Sequence, residues 1–271
     1  MMIPDLKFRI SNLKSQISNL IAAALTVLAV IYSVPASAQL SITANHDNIT
    51  IDFFYHGSTV SVKGVSEPNT DLIIKISSPE GIETLKQKGK VAGFLWMNTG
   101  TLHLKNTPNL YSVHSTKKIE ELLSREEADK YLLGYEALEK HADLSPVSGE
   151  AEKTKWFEEF IRLKESLSLY KTSSGTISLT PDAGRQKYYI KTDWPYQAPP
   201  GDYLVTVYAV KDGNVIEQAG AHVNVEQVGV VRYLSDMAKN SGAVYGIISI
   251  VAALGAGFGV GMIFKKGGGA H

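Results

Sequence analysis

The chain of 271 residues contains no cysteine, and that absence excludes several chemistries together. Disulfides, thiolate nucleophiles, Cys-x-x-Cys redox pairs and cysteine metal sites all fall away. An exported domain built this way must be held by its apolar core alone. Net charge is absent too, since 27 basic side chains match 27 acidic ones. A nucleic-acid surface needs clustered positive charge, so no nucleic-acid partner is expected. Catalytic signatures are also missing. The histidines His46, His56, His103, His114, His141, His222 and His271 form no His-Glu-x-x-His pair. No Gly-x-Ser-x-Gly elbow presents a serine.

Two apolar runs bracket what is present. Leu20–Val34 follows Lys7, Arg9 and Lys14 and leads into Pro35-Ala36-Ser37-Ala38. A short apolar stretch behind positive charge, ending in a small-x-small site, predicts a secretory signal over residues 1–38 cleaved after Ala38. Ala243–Phe264 then runs 22 residues without a formal charge and stops at Lys265-Lys266. One helix of roughly 20 apolar residues crosses a bilayer. The lysines after it place the tail, residues 265–271, in the cytoplasm by the positive-inside rule. About 200 residues are then left outside, enough for one domain with a core of its own. Signal and tail take five of the 27 basic side chains and one of the 27 acidic ones, leaving 22 and 26 outside.

Between the runs the hydrophobic period changes twice. From Gln39 to about residue 115 it is two. Ile49, Ile51, Phe53 and Tyr55 fall on one face, Val60 and Val62 on another strand, and Leu72, Ile74 and Ile76 on a third, Asp71–Ser77. Val91–Met97, Thr101–Lys105 and Leu110–His114 read as weaker strands. Over residues 116–170 the spacing turns helical. Ile119, Leu122 and Leu123 lead to Ser124-x-x-Glu127, a capping box expected to start a helix carrying Tyr131, Leu132, Tyr135 and Leu138. After a loop at Asp143–Gly149, a further helix runs through Trp156, Phe157, Phe160, Leu163 and Leu167. Strands return over residues 171–228, where Lys211-Asp212-Gly213-Asn214 divides the clearest hairpin. The expected fold is mainly β with an α insertion: an Ig-like antiparallel β-sandwich in two halves (39–115 and 171–228), interrupted by the helical excursion. A juxtamembrane segment, 229–242, leads to the transmembrane helix, 243–264. Tyr203, after Pro200-Gly201-Asp202, is expected to bond nearby backbone at the start of its strand.

Candidate site residues divide into two groups. Ser249, Ala253, Gly257 and Gly261 recur every four residues and form one small-residue stripe suited to close helix–helix approach, with another integral membrane protein or with a second copy. The glycines 255, 257, 259 and 261 make no Gly-x-Gly-x-x-Gly and follow no strand, so they are not a phosphate loop. Trp96, Trp194 and Tyr196 are candidates for a partner or ligand surface, the commoner role of such residues being to fill or cover a sandwich core. His103 and His114 could meet across neighbouring strands as metal ligands, although two unrelated histidines are the commoner case. No cofactor is expected and no catalytic residue is assigned.

Several segments together resemble a known family. They are Phe54-Tyr55-His56-Gly57, Lys88–Asn98 with Gly93-Phe94-Leu95-Trp96-Met97-Asn98, Pro108-Asn109-Leu110-Tyr111-Ser112-Val113, Leu163–Tyr170, Pro200-Gly201-Asp202-Tyr203, Asp212-Gly213 and Tyr245-Gly246. In this order and spacing the chain resembles the alphaproteobacterial transmembrane family Alph_Pro_TM over essentially its whole mature length. The resemblance implies a bacterial membrane protein. It also implies a membrane partner, members being often encoded near permeases of the sulfite-exporter type, and it supplies no catalytic residue. The expectation is a non-enzymatic, single-pass inner-membrane protein with its bulk in the periplasm, acting as an accessory or assembly subunit. The rival is a tethered periplasmic ligand-binding or sensing domain.

Overall fold

The computed structural model describes residues 40–45 and 48–265. The expected signal, the tail beyond residue 265, His46 and His271 lie outside the described residues. The strands are β1 Ser41–Ala44, β2 Asn48–Ile51, β3 Ser58–Ser66, β4 Asp71–Ser77, β5 Glu80–Val91, β6 Leu95–Pro108 and β7 Tyr111–Ser115, then β8 Asp143–Ser145, β9 Tyr170–Ser174, β10 Ser178–Asp182, β11 Arg185–Trp194, β12 Gly201–Lys211 and β13 Asn214–Gln227. Helices α1 Ile119–Leu122, α2 Arg125–Tyr131, α3 Tyr135–His141 and α4 Glu150–Ser166 lie between β7 and β9. Helices α5 Gly229–Asn240 and α6 Gly242–Lys265 follow β13.

Among the described residues three sheets result, ordered β1-β3-β11-β10, β2-β13-β12-β4-β7-β9 and β5-β6-β8. The chain is thus mostly β with helices and one long apolar terminal helix, as expected. Two of its strand pairs, β2 with β13 and β7 with β9, are parallel.

Alternation builds the four-stranded sheet. Along β11, Gln186, Tyr188, Ile190, Thr192 and Trp194 are buried while Arg185, Lys187, Tyr189, Lys191 and Asp193 face out. Successive side chains point to opposite faces, so one face joins the core and the other stays wet. The six-stranded sheet differs at its centre. In β4, Leu72, Ile73, Ile74 and Ile76 are all buried, as are residues 205–210 of β12. The helical insertion covers the second face: Tyr131 of α2 packs on Tyr208 with ring centroids 5.3 Å apart, and Lys75 Nζ donates to the Tyr131 carbonyl at 2.6 Å. Strands covered on both faces read as continuous apolar runs rather than alternations.

The expected insertion helices form with one change. Ser124 caps α2 by accepting from the Glu127 N–H at 3.3 Å. The long helix then breaks, because Leu132 adopts φ 51° and Gly134 φ 98°. Tyr111 holds this corner from β7. Its hydroxyl donates to the Leu132 carbonyl at 2.9 Å and accepts from the Gly134 N–H at 2.7 Å, which offsets the strain of a left-handed leucine. Helix α4 buries Phe157, Phe160 and Ile161, with Trp156 half-buried beside the core.

Two further expectations change. Val91–Met97 is not one strand: Val91 ends β5, Leu95–Met97 begin β6, and Ala92 (φ 52°) and Gly93 (φ 80°) turn the chain between them. The alternation through Ile49, Ile51, Phe53 and Tyr55 is strand only as far as Ile51. Asp52 accepts the Phe54 N–H on its Oδ1 at 2.9 Å, and its carbonyl accepts the Tyr55 N–H at 3.2 Å. A short polar side chain that captures nearby backbone competes with the ladder. Phe53 therefore leaves the core face shared by Ile49.

Candidate partner-binding surfaces

The β5–β6 hairpin is the longest antiparallel ladder, pairing Glu80 with Pro108 at its base and Val91 with Leu95 at its tip. Its base is anchored: Leu102 and Leu104 are buried, and Lys164 of α4 reaches across to the Glu83 carboxylate in an ion pair. Its tip is bare. Phe94 is 79% exposed and Trp96 65%, with Val91, Leu95 and Met97 also exposed. Lys90 Nζ sits 5.3 Å from the Trp96 ring centroid, a cation–π contact at the rim of the patch. Contiguous apolar surface of this kind marks an interaction site more often than isolated exposed residues do.

The other two aromatic candidates lie elsewhere. Trp194 is buried, 4% exposed, and meets Tyr203 edge-to-face at 4.8 Å. Most of its ring is packed between the two larger sheets, and only an edge reaches the surface. Tyr196 is exposed and stacks on Tyr55 with centroids 6.1 Å apart. Trp194 and Tyr196 border an open groove of about 520 Å³ that also includes Glu165, Tyr170 and Asp193, and Trp96 does not line it. The structure therefore does not gather Trp96, Trp194 and Tyr196 into one site.

The histidine pair separates as well. His103 lies on β6 beside Thr84, whereas His114 lies on β7 in another sheet. His114 nitrogens contact Ser112 Oγ at 2.9 Å and Ser173 Oγ at 2.6 Å. Burial, helped by the Lys171 charge, pulls its pKa down to about 4, so it is neutral at pH 7. Among the described residues no three His, Asp or Glu side chains are grouped to hold a metal ion.

Sequence reasoning missed Lys75. Burial lowers it to about 8, and it borders a 190 Å³ pocket with Ser77, Ser78, Glu80 and Tyr111. A depressed lysine in a pocket is a candidate nucleophile. Here its ammonium is engaged by the Tyr131 carbonyl and lies 5.6 Å from the Tyr208 ring centroid, which makes it a clamp between β4 and α2.

In α6 the window Gly242–Met262 has mean hydropathy 2.0 and no buried residue. Its 24 residues give a length of about 36 Å at 1.5 Å per residue, which spans a hydrocarbon core of about 30 Å. Ser249, Ala253, Gly257 and Gly261 are all exposed. Ser249 Oγ donates back to the Tyr245 carbonyl at 2.8 Å, so its hydroxyl is satisfied within the helix. A Cβ placed on Gly257 or Gly261 would meet nothing within 4 Å.

Compared with known proteins, residues 39–266 match the family described as "Putative transmembrane protein (Alph_Pro_TM)". No curated protein and no solved structure matches.

Proposed function

The chain belongs to the Alph_Pro_TM transmembrane protein family, and from that premise we propose that it is a non-enzymatic accessory or assembly subunit of a membrane complex. In this reading α6 anchors it in the bacterial inner membrane, the β-rich part stands in the periplasm, and the tail after Lys265 is cytoplasmic. Its partner is another integral membrane protein, for which the family resemblance suggests a permease of the sulfite-exporter type.

The observation that carries the reading is the bare apolar tip of the β5–β6 hairpin, Phe94 to Met97. A ladder this long, with its base fixed in the core and its aromatic end unpaired, is a probe for a partner's surface. Strand register supports a position near the membrane. Ser77 pairs with Leu204, which pairs with His222. The hairpin base at Glu80 therefore leaves the sheet at the end from which β13 runs on to α5.

The deciding experiment is affinity purification of the full chain in mild detergent, with mass spectrometry of co-eluting proteins, beside a Phe94→Ser/Trp96→Ser variant. Both side chains are exposed, so the fold should survive. Loss of an integral membrane partner from the variant supports the proposal. Identical partner sets for both proteins would defeat it. The second reading, a tethered ligand-binding or sensing domain, draws on the groove beside Tyr196, and a small molecule bound there would favour it.

A further inference from the structure

We propose that the membrane-proximal end of the β domain rests on the phospholipid interface through two elements, the apolar face of α5 and the turn carrying Phe53 and Phe54.

Helix α5 divides cleanly around its axis. At 100° per residue, Tyr233, Met237, Val230, Leu234, Ala238 and Val231 fall within an arc of about 160°. Ser235, Lys239, Arg232, Asp236 and Asn240 fill the rest. Most of the apolar arc is uncovered: Val230, Tyr233 and Leu234 are exposed, while Val231 and Met237 are half-buried. On the opposite side Arg232 and Asp236 approach to 3.8 Å. An exposed helix that segregates this way, with basic residues on its polar face, lies in the plane of a membrane interface.

Two connections say what covers it. Only Ser241 separates α5 from α6, and its φ −143° and ψ 50° interrupt the helix there. The helix is therefore continuous in sequence with the segment already inside the bilayer. Upstream, β2 runs parallel to β13 with Ile51 opposite Gln227, and the Val228 N–H donates to the Ile51 carbonyl at 3.0 Å. That bond fixes the Asp52–Tyr55 turn beside the first residue of α5. The turn presents Phe53 and Phe54, 71% and 75% exposed, with rings edge-to-face at 5.2 Å. Tyr196 joins the same end by stacking on Tyr55. Apolar bodies with polar tips suit the headgroup boundary, and phospholipid is the occupant that the adjoining span supplies.

The test uses the absence of native cysteine. Single-cysteine variants Phe54→Cys, Tyr233→Cys, Ser235→Cys and Arg185→Cys of the full chain carry an NBD label. Each is reconstituted in nanodiscs of phosphatidylethanolamine and phosphatidylglycerol, with and without a shallow doxyl-labelled phosphatidylcholine. All four positions lie on the surface or at its edge, and circular dichroism checks the fold. The proposal expects blue-shifted emission and several-fold stronger quenching at positions 54 and 233 than at 235 and 185. Quenching at 54 no greater than at 185 overturns it. So does equal quenching at 233 and 235, because the helix would then have no lipid-facing side. A blue shift without lipid quenching that grows with protein density also overturns it, identifying a second copy as the cover.

Discussion

Trp194, the last residue of β11, meets Tyr203, near the start of β12, edge-to-face with ring centroids 4.8 Å apart. The two belong to different sheets, so this pair joins the four-stranded sheet to the six-stranded one. The Tyr203 hydroxyl donates to the Pro199 carbonyl, which closes the loop between the two strands on itself.

Substitutions at the two positions should loosen the sheets by different amounts. Trp194→Ala leaves a large void in a packed interior, where aromatic truncation costs about 3–5 kcal/mol. Tyr203→Phe keeps the ring and loses one hydrogen bond, worth about 1 kcal/mol. Thermal unfolding of the β domain should show a large fall for the first and a small one for the second. Equal falls would mean that the ring contact contributes little.

Acid should destabilise the domain through His114. Its pKa is about 4 in the fold against about 6.5 in an unfolded chain. Between those values the unfolded chain binds the extra proton, so stability rises with pH across that window and is lost as pH falls from about 6.5 toward 4. The loss is at most about 3 kcal/mol at 1.36 kcal/mol per pKa unit. Denaturant midpoints measured over this range should slope less in His114→Asn than in the parent. An unchanged slope would assign the acid sensitivity to other groups.

The docked helix makes a third expectation. Phe160 is 1% exposed and meets the Tyr170 ring at 5.5 Å, whereas Trp156 is only half-buried. Phe160→Ala should cost about 3–5 kcal/mol, and Trp156→Ala clearly less. Comparing the two melting curves checks the direction of α4 against the core. The reverse order would put the tryptophan face inward.

What could be read from sequence follows where each strand gets its order. Asp71–Ser77 and the Asp212-Gly213 hairpin carry their own signals, the alternation of Leu72, Ile74 and Ile76 and a turn with φ 50° and 81°, although Ile73 is buried as well. Helical spacing located α4, and apolar length located α6. The β5–β6 hairpin was illegible as one unit because Lys86-Gln87-Lys88-Gly89-Lys90 has no apolar alternation, and its strand state comes from pairing with β6. Phe53 was misplaced because alternation continues past Ile51, while the Asp52 side chain ends the ladder locally. The Leu132 break has no local signal in the sequence, because its cause, Tyr111, lies 21 residues away. For the candidate surfaces, composition singled out the tryptophans but not which of them is covered. That distinction belongs to tertiary packing.

The small-residue stripe of α6 yields the most discriminating expectation. A Cβ at Gly257 or Gly261 meets nothing within 4 Å outside its own helical turn, so Gly257→Leu and Gly261→Leu extend from the helix into open space. They also keep the helix apolar and long enough to span. Any effect must then arise between helices, where leucine blocks the close approach that small residues allow. Ile248→Leu, at an exposed position on the opposite side of the helix at 100° per residue, is the control. The glycine variants should insert normally and lose part of their co-purification with a partner, or part of their self-association. Such contacts are worth only about 1–2 kcal/mol in model systems, so partial loss is the expected outcome. Should both variants retain every partner as the control does, α6 is an anchor alone. The hairpin tip at Phe94 and Trp96 would then have to carry the proposed association by itself.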